Sequence, residues 1–201
     1  MSQFVYELLG RRDYKIISDI VPAGCKVLDL GCGDGGLLEW LATNKKVDGR
    51  GVEIESAKVQ QAIVRGVSVY HGDIEQCLGD YPDKAFDYVI LSQTLQETRR
   101  PMDVLNEMLR IGHHAIVAFP NFGHWTVRLS HLWSGRAPQT ELFPHDWYNS
   151  PNIHFLTVED FELLAAQKKW RVERRWFLSG ARTIHTMPNL LAEVAVFLVT
   201  R

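Results

Sequence analysis

Apolar residues in this chain fall into short runs with the period of a strand, and these runs alternate with segments whose apolar positions recur every three or four residues. "CKVLDL" (Cys25 to Leu30), "GRGVEI" (Gly49 to Ile54), "VSVYHG" (Val67 to Gly72), "FDYVILS" (Phe86 to Ser92) and "HAIVAF" (His114 to Phe119) predict strands. Between them, "GLLEWLATN", "SAKVQQAIVRG" and "PMDVLNEMLRIG" predict helices, with Pro101 suited to a first helical turn and Gly66 and Gly112 suited to C-terminal caps. Alternation of this kind predicts a parallel sheet covered by helices on both faces.

The pattern changes after Phe119. From Pro120 to Leu156 no period is sustained, and aromatics, histidines and prolines are frequent. The stretch is too apolar for disorder and reads as a functional cover, or as short helices that the pattern does not place. "TVEDFELLAAQKKW" predicts a helix, with Thr157 and Asp160 spaced as a capping box and Phe161, Leu164 and Ala165 on one face. "RVERRWFL" and "LLAEVAVFLVTR" predict two closing strands, antiparallel because the link between them is too short for a crossover helix. The expected organisation is one domain over residues 1–201, with 120–156 as a cover inserted within it.

Composition narrows the function. The 201 residues are 46% hydrophobic and 23% charged, with a net charge of -2, so the basic excess of a polyanion-binding protein is missing. The run "KKWRVERRW" reads as a solvated helix end and edge strand rather than a nucleic-acid surface. "MSQFVYELLGRRDYK" has no export-signal pattern and no apolar segment reaches membrane-spanning length, so a cytoplasmic location is expected. Cys25, Cys32 and Cys77 are scattered, without C-x-x-C spacing, and are expected as reduced thiols. No metal spacing is present among the eight histidines; adjacent His113 and His114 point to opposite faces of a strand.

The chemistry concentrates at "GCGDGG", where Gly31, Gly33 and Gly36 fit G-x-G-x-x-G at a strand-to-helix turn. Such a turn lets a ligand approach the backbone at the carboxyl ends of the strands. Asp29 and Asp34 bracket the glycines and would repel the pyrophosphate of a dinucleotide. S-adenosylmethionine, which carries an ammonium and a sulfonium but no phosphate, suits those acids better. Glu53 lies seventeen residues after Gly36, where an acid accepts from ribose hydroxyls in either ligand class. Asp73 is placed to accept from an adenine amino group while Ile74 packs on the ring, and Ser92 and Gln93 leave the fourth strand at the same edge. The candidate cofactor-binding set is Asp29, Gly31, Cys32, Gly33, Asp34, Glu53, Ile54, Asp73, Ile74, Ser92 and Gln93. Candidate bases for an acceptor are His124, His145, Tyr148 and His154, all in the cover.

"VLDLGCGDG", "GVEIE", "HGDIE" and "FDYVILSQTLQE" resemble the successive motifs of class I S-adenosylmethionine-dependent methyltransferases over about the first 120 residues. The resemblance implies a Rossmann-like α/β fold: a seven-stranded, mostly parallel sheet, its last strand antiparallel, with helices on both faces. "KVLDLGCGDG", "LSQTLQ", "FPNFGHW" and "FPHDWYNSPNIHFLT" resemble, more narrowly, the MetW family of methionine-biosynthesis proteins over nearly the whole chain. That likeness implies S-adenosylmethionine or S-adenosylhomocysteine as ligand, and association with homoserine O-acyltransferase, the MetX protein.

Acyl transfer involves no methyl group, and G-x-S-x-G is absent, so this chain supplies no nucleophile-elbow serine. Two readings follow: a ligand-binding partner or regulator of the acyltransferase, and a methyltransferase acting on a small acceptor enclosed by the cover. An NAD-linked oxidoreductase ranks third, opposed by Asp29 and Asp34.

Overall fold

The computed structural model describes residues 11–180 and 182–201. The first ten residues of the N-terminal stretch, on which the expected location partly rests, lie outside them. The described chain opens on a helix the sequence reading did not place, α1 (Arg12–Ile20), which Ile17 and Val21 anchor with fully buried side chains.

Strands and helices then alternate as the apolar pattern predicts: β1 (Lys26–Leu30), α2 (Gly36–Lys45), β2 (Asp48–Glu53), α3 (Ser56–Val64) and β3 (Ser68–His71). A short α4 (Ile74–Cys77) leads to β4 (Phe86–Ser92), α5 (Pro101–Ile111) and β5 (Gly112–Pro120). Pro101 does open α5, and Gly112 is its C-cap residue, the Gly112 N–H donating to the Met108 carbonyl, but not in the left-handed conformation for which glycine is favoured there. Its φ of −107° is extended and it begins β5, where an added Cβ would stand 2.6 Å from Val89 Cγ2. The glycine is there for close strand packing.

The unplaced stretch contains one helix, α6 (Trp125–Ser134), followed by irregular chain. Helix α7 (Val158–Gln167) begins with the predicted capping box: Thr157 Oγ1 accepts from the Asp160 N–H while the Asp160 carboxylate accepts from the Thr157 N–H. β6 (Arg171–Ser179), β7 (Arg182–Thr183), α8 (Pro188–Leu191) and β8 (Val194–Thr200) complete the fold. Pro188 turns the predicted start of the final strand into one helical turn.

The strands form one sheet in the order β3-β2-β1-β4-β5-β8-β6-β7. β1 to β5 pair in parallel, and β8 inserts antiparallel between β5 and β6. The count is eight strands, not seven, because Arg182–Thr183 folds back onto Leu178 and Ser179. Two residues carry no period that the sequence pattern can reveal.

Side chains of alternate parity fill two separate cores. Ile90 of β4, Ile116 and Ala118 of β5 and Val196 of β8 pack with α1 and α2 on one face. Leu91, Val117, Phe119 and Phe197 pack on the other with α5 and α7, where the rings of Phe119, Phe161 and Phe197 meet at centroid distances of 4.6 to 5.9 Å. The chain reverses its direction of travel across the sheet between β1 and β4, which opens a crevice at their carboxyl ends. Among the described residues no helix is long and apolar enough to cross a membrane.

Candidate functional site

The crevice holds a cavity of about 930 Å³, within the range of a cofactor site. The glycine turn forms its floor. Gly31 sits at φ 74° with no room for a side chain, since a Cβ would stand 2.6 Å from Thr94 Oγ1. The Gly31 and Cys32 N–H groups donate to the Val52 carbonyl at 2.8 and 3.1 Å, laying the turn across the end of β2. Glu53 locks it there: its carboxylate accepts from the N–H of Gly33 at 2.9 Å, of Ile54 at 2.9 Å and of Glu55 at 2.8 Å. Three of about four lone-pair positions are thereby used on the backbone, leaving capacity for roughly one further donor.

The cavity wall brings together Gly31, Gly33, Asp34, Glu53, Ile54, Asp73, Ile74, Ser92 and Gln93. Asp29 and Cys32, of the same predicted set, are not among the residues that line it. Strand alternation points Asp29 to the Val27 face, beneath α1, where it is 3% exposed. Burial pushes its carboxyl up to about 7; Arg11 pulls it back, while Asp13 and Glu53 raise it further. The Cys32 side chain is buried in the α2-side core, pressed against Gly51, and burial drives its thiol far up.

Several wall residues are already engaged. Asp34 Oδ2 is 2.6 Å from Arg65 Nη2, and Arg65 also reaches Glu39 at 2.9 Å, so the second acid of the motif is partly neutralised. Asp73 caps α4, accepting from the Glu75 N–H at 2.9 Å. Ser92 Oγ donates to Asp13 Oδ2 at 2.5 Å, and Arg11 Nη2 bonds that carboxylate at 2.8 Å and lies 3.3 Å from Ser92 Oγ. Gln93 takes the left-handed conformation, φ 58°, at the strand end.

The wall also includes Arg11, Tyr14, Lys58, Thr94, Glu97 and Ile153, which the sequence reading did not select. Arg11 and Tyr14 belong to an N-terminal element with no motif. Glu97 closes the "FDYVILSQTLQE" segment; burial raises its carboxyl, opposed by Lys58. Six carboxylates line the cavity, from Asp34, Glu53, Glu55, Asp73, Glu75 and Glu97, against the three cations Arg11, Lys58 and Arg99. That balance disfavours a pyrophosphate and favours a cation.

The four candidate bases do not converge on this wall. His124 is buried at the base of a separate groove beside α6, its Nδ1 2.7 Å from Thr126 Oγ1. His154 faces an apolar hollow with Leu105 and Phe161. Tyr148 is largely exposed, 3.3 Å from Asp146 Oδ2. His145 is exposed too and does not line the cavity.

The sheet order, the antiparallel strand β8 inserted between β5 and β6 and the glycine turn under the crevice define a class I methyltransferase fold. Solved structures share it: an S-adenosylmethionine-dependent methyltransferase from Archaeoglobus fulgidus superposes with a TM-score of 0.71 at 15% identity, covering 97% of this chain and 94% of that one. A possible histamine N-methyltransferase from Thermotoga maritima gives 0.66 at 18% identity, covering 94% and 86%. Within this fold the chain belongs to the MetW family: the family model described as methionine biosynthesis protein MetW matches residues 11–199. A bifunctional methionine biosynthesis protein MetXA/MetW from Rhodopirellula baltica is 36% identical over 197 residues, covering 92% of this chain. The chain spans about a third of that relative, 32% of its length.

Proposed function

We propose that the chain binds S-adenosylmethionine, or S-adenosylhomocysteine, in the crevice and acts in the cytoplasm as a partner or regulator of the homoserine acyltransferase of methionine biosynthesis. The observation that carries the partnership is the relative in which MetXA and MetW share one polypeptide. The acid-rich cavity supplies the ligand half of the reading.

The residues divide the ligand among them by charge. The surplus carboxylates answer the ammonium and the sulfonium, and Arg11, held by Asp13 and Ser92, answers the ligand's carboxylate. Glu53 has capacity for one ribose hydroxyl beyond its three backbone donors. Ile54 and Ile74 offer apolar surface to a base, and Asp73, although it caps α4 and its Oδ2 accepts a long bond from Gln76 Nε2 at 3.5 Å, keeps lone-pair capacity for an amino group. When bound, S-adenosylmethionine supplies a sulfonium-activated methyl group; in this reading its occupancy, not its methyl, is used. Regulation then requires only that the ligand bind the partner-competent state more tightly than the other. Residues 120–156 form the cover, and its Ile153 reaches the cavity wall.

The test is acyltransferase activity assayed with and without this chain across S-adenosylmethionine concentrations. A ligand-dependent change in rate is expected; the same rate in every mixture would remove the proposal. Labelled methyl appearing in a metabolite would favour instead a methyltransferase with a small acceptor.

A further inference from the structure

Resting on the acyltransferase-partner reading, we infer that the outward face of α6, together with Trp147, is the surface on which the acyltransferase docks. α6 packs poorly for a helix of ten residues: Val127 is its one buried side chain. Trp125, Leu129 and Trp133, at i, i+4 and i+8, form a stripe that is 48%, 41% and 81% exposed, with Leu132 beside it. Eight of the fourteen large apolar side chains exposed among the described residues lie between Trp125 and Phe155. Tryptophans in such number are the residues that dominate protein interfaces.

The stripe borders a groove of about 710 Å³, closed on its other side by Gln139 to Leu142. Burial lowers the basicity of His124 at its base, against the opposing pull of Glu193. The charged groups on the groove wall, Glu141 and Glu193, are both acidic, which opposes an anionic lipid surface and leaves an apolar protein segment as the fitting occupant. Trp147 continues the surface, sharing an adjoining hollow with Ser130 and Ser134 of α6. The occupant assigned to this face is the acyltransferase because a relative carries MetXA and MetW in one chain.

A line of contacts joins this face to the ligand cavity. Gln93, on the cavity wall, accepts through its carbonyl from Gln96 Nε2 at 2.8 Å. The Gln96 carbonyl accepts from the N–H of Ile153 at 2.8 Å and of His154 at 3.0 Å. Phe155 then packs on Phe122, two residues before the His124 that floors the groove, and Phe122 packs on Phe143, next to Leu142. The exposed apolar residues of α3, Ile63 and Val64, have no part in that line.

Binding of the purified homoserine acyltransferase from the same organism, read by biolayer interferometry, tests the assignment. Wild type is expected to bind. Trp133→Asp and Leu129→Asp are expected to weaken binding at least about 30-fold, the loss typical of an interface anchor. Val64→Asp, 87% exposed on α3, serves as the control and is expected to bind as wild type. Unchanged melting temperature and S-adenosylmethionine affinity in all three variants would show that fold and cavity are intact. If wild type and both α6 variants bind equally, the surface is wrong while the partner reading survives. If wild type neither binds the acyltransferase nor changes its rate, both fall. If Trp133→Asp instead converts a dimer of this chain into monomers and leaves acyltransferase binding alone, a second copy occupies the face and the assignment is overturned.

Discussion

Asp29 makes stability depend on pH in a direction opposite to that of most acids. Its carboxyl is 3% exposed and burial holds it near 7, against an ordinary value of 3.8. Between those values the folded chain keeps a proton that the unfolded chain releases. Stability from this group is therefore fully present below about pH 4, falls as pH rises towards 7, and stays low above it. The difference of about three units corresponds to an upper bound of about 4 kcal/mol, and relaxation around the charge brings the expected effect to about 2–4 kcal/mol. Asp29→Asn removes the titration while keeping size and polarity. Urea unfolding of both proteins from pH 4.5 to pH 8.5 is the assay. The stability of the variant relative to wild type should rise by about 2–4 kcal/mol across that range, on the order of 10 °C in melting temperature for a chain of this length. Parallel curves, with a difference that does not change with pH, would refute the burial argument.

Glu53→Ala leaves the N–H groups of Gly33, Ile54 and Glu55 without their acceptor; a loss of about 2–4 kcal/mol in urea unfolding is expected, with weaker ligand binding, and an unchanged midpoint would show the brace to be dispensable. Gly31→Ala forces a side chain into a left-handed position and onto Thr94. It should cost more than about 2 kcal/mol, and Thr94→Ala should recover part of the loss in the double variant, which additive effects would contradict. Phe161→Ala opens a hole between Phe119 and Phe197, with about 3–5 kcal/mol lost in denaturant melts; a loss under about 1 kcal/mol would mean the site collapses without penalty.

The parallel half of the sheet was readable because its strands are apolar runs bounded by turn residues, and the cavity floor because glycines and acids mark it locally. Glu53 was assigned to a ribose, yet most of its capacity holds the glycine turn, a use that spacing alone does not reveal. Asp34 looked like free negative charge until Arg65, thirty-one residues away, was found against it. Ser92 was found, but its partner Asp13 lies seventy-nine residues earlier in a helix without a motif. Asp29 and Cys32 do not line the cavity although their neighbours in sequence do, because strand parity and turn geometry, not proximity in sequence, decide which side chains meet it. The histidines of residues 120–156 scatter because an irregular chain has no period from which to project their directions. α6 is one of the short helices that the pattern of residues 120–156 allows but does not place, because its apolar stripe is largely exposed rather than packed on the sheet.

Isothermal titration of the full chain with S-adenosylmethionine, S-adenosylhomocysteine and NADH, in parallel, bears most directly on the acidic crevice. Saturable one-site binding of the first two, weakened by Arg11→Ala, with no heat from NADH, is the result this account predicts. Saturable binding of NADH, or no heat from either sulfur nucleoside on folded protein, would contradict it.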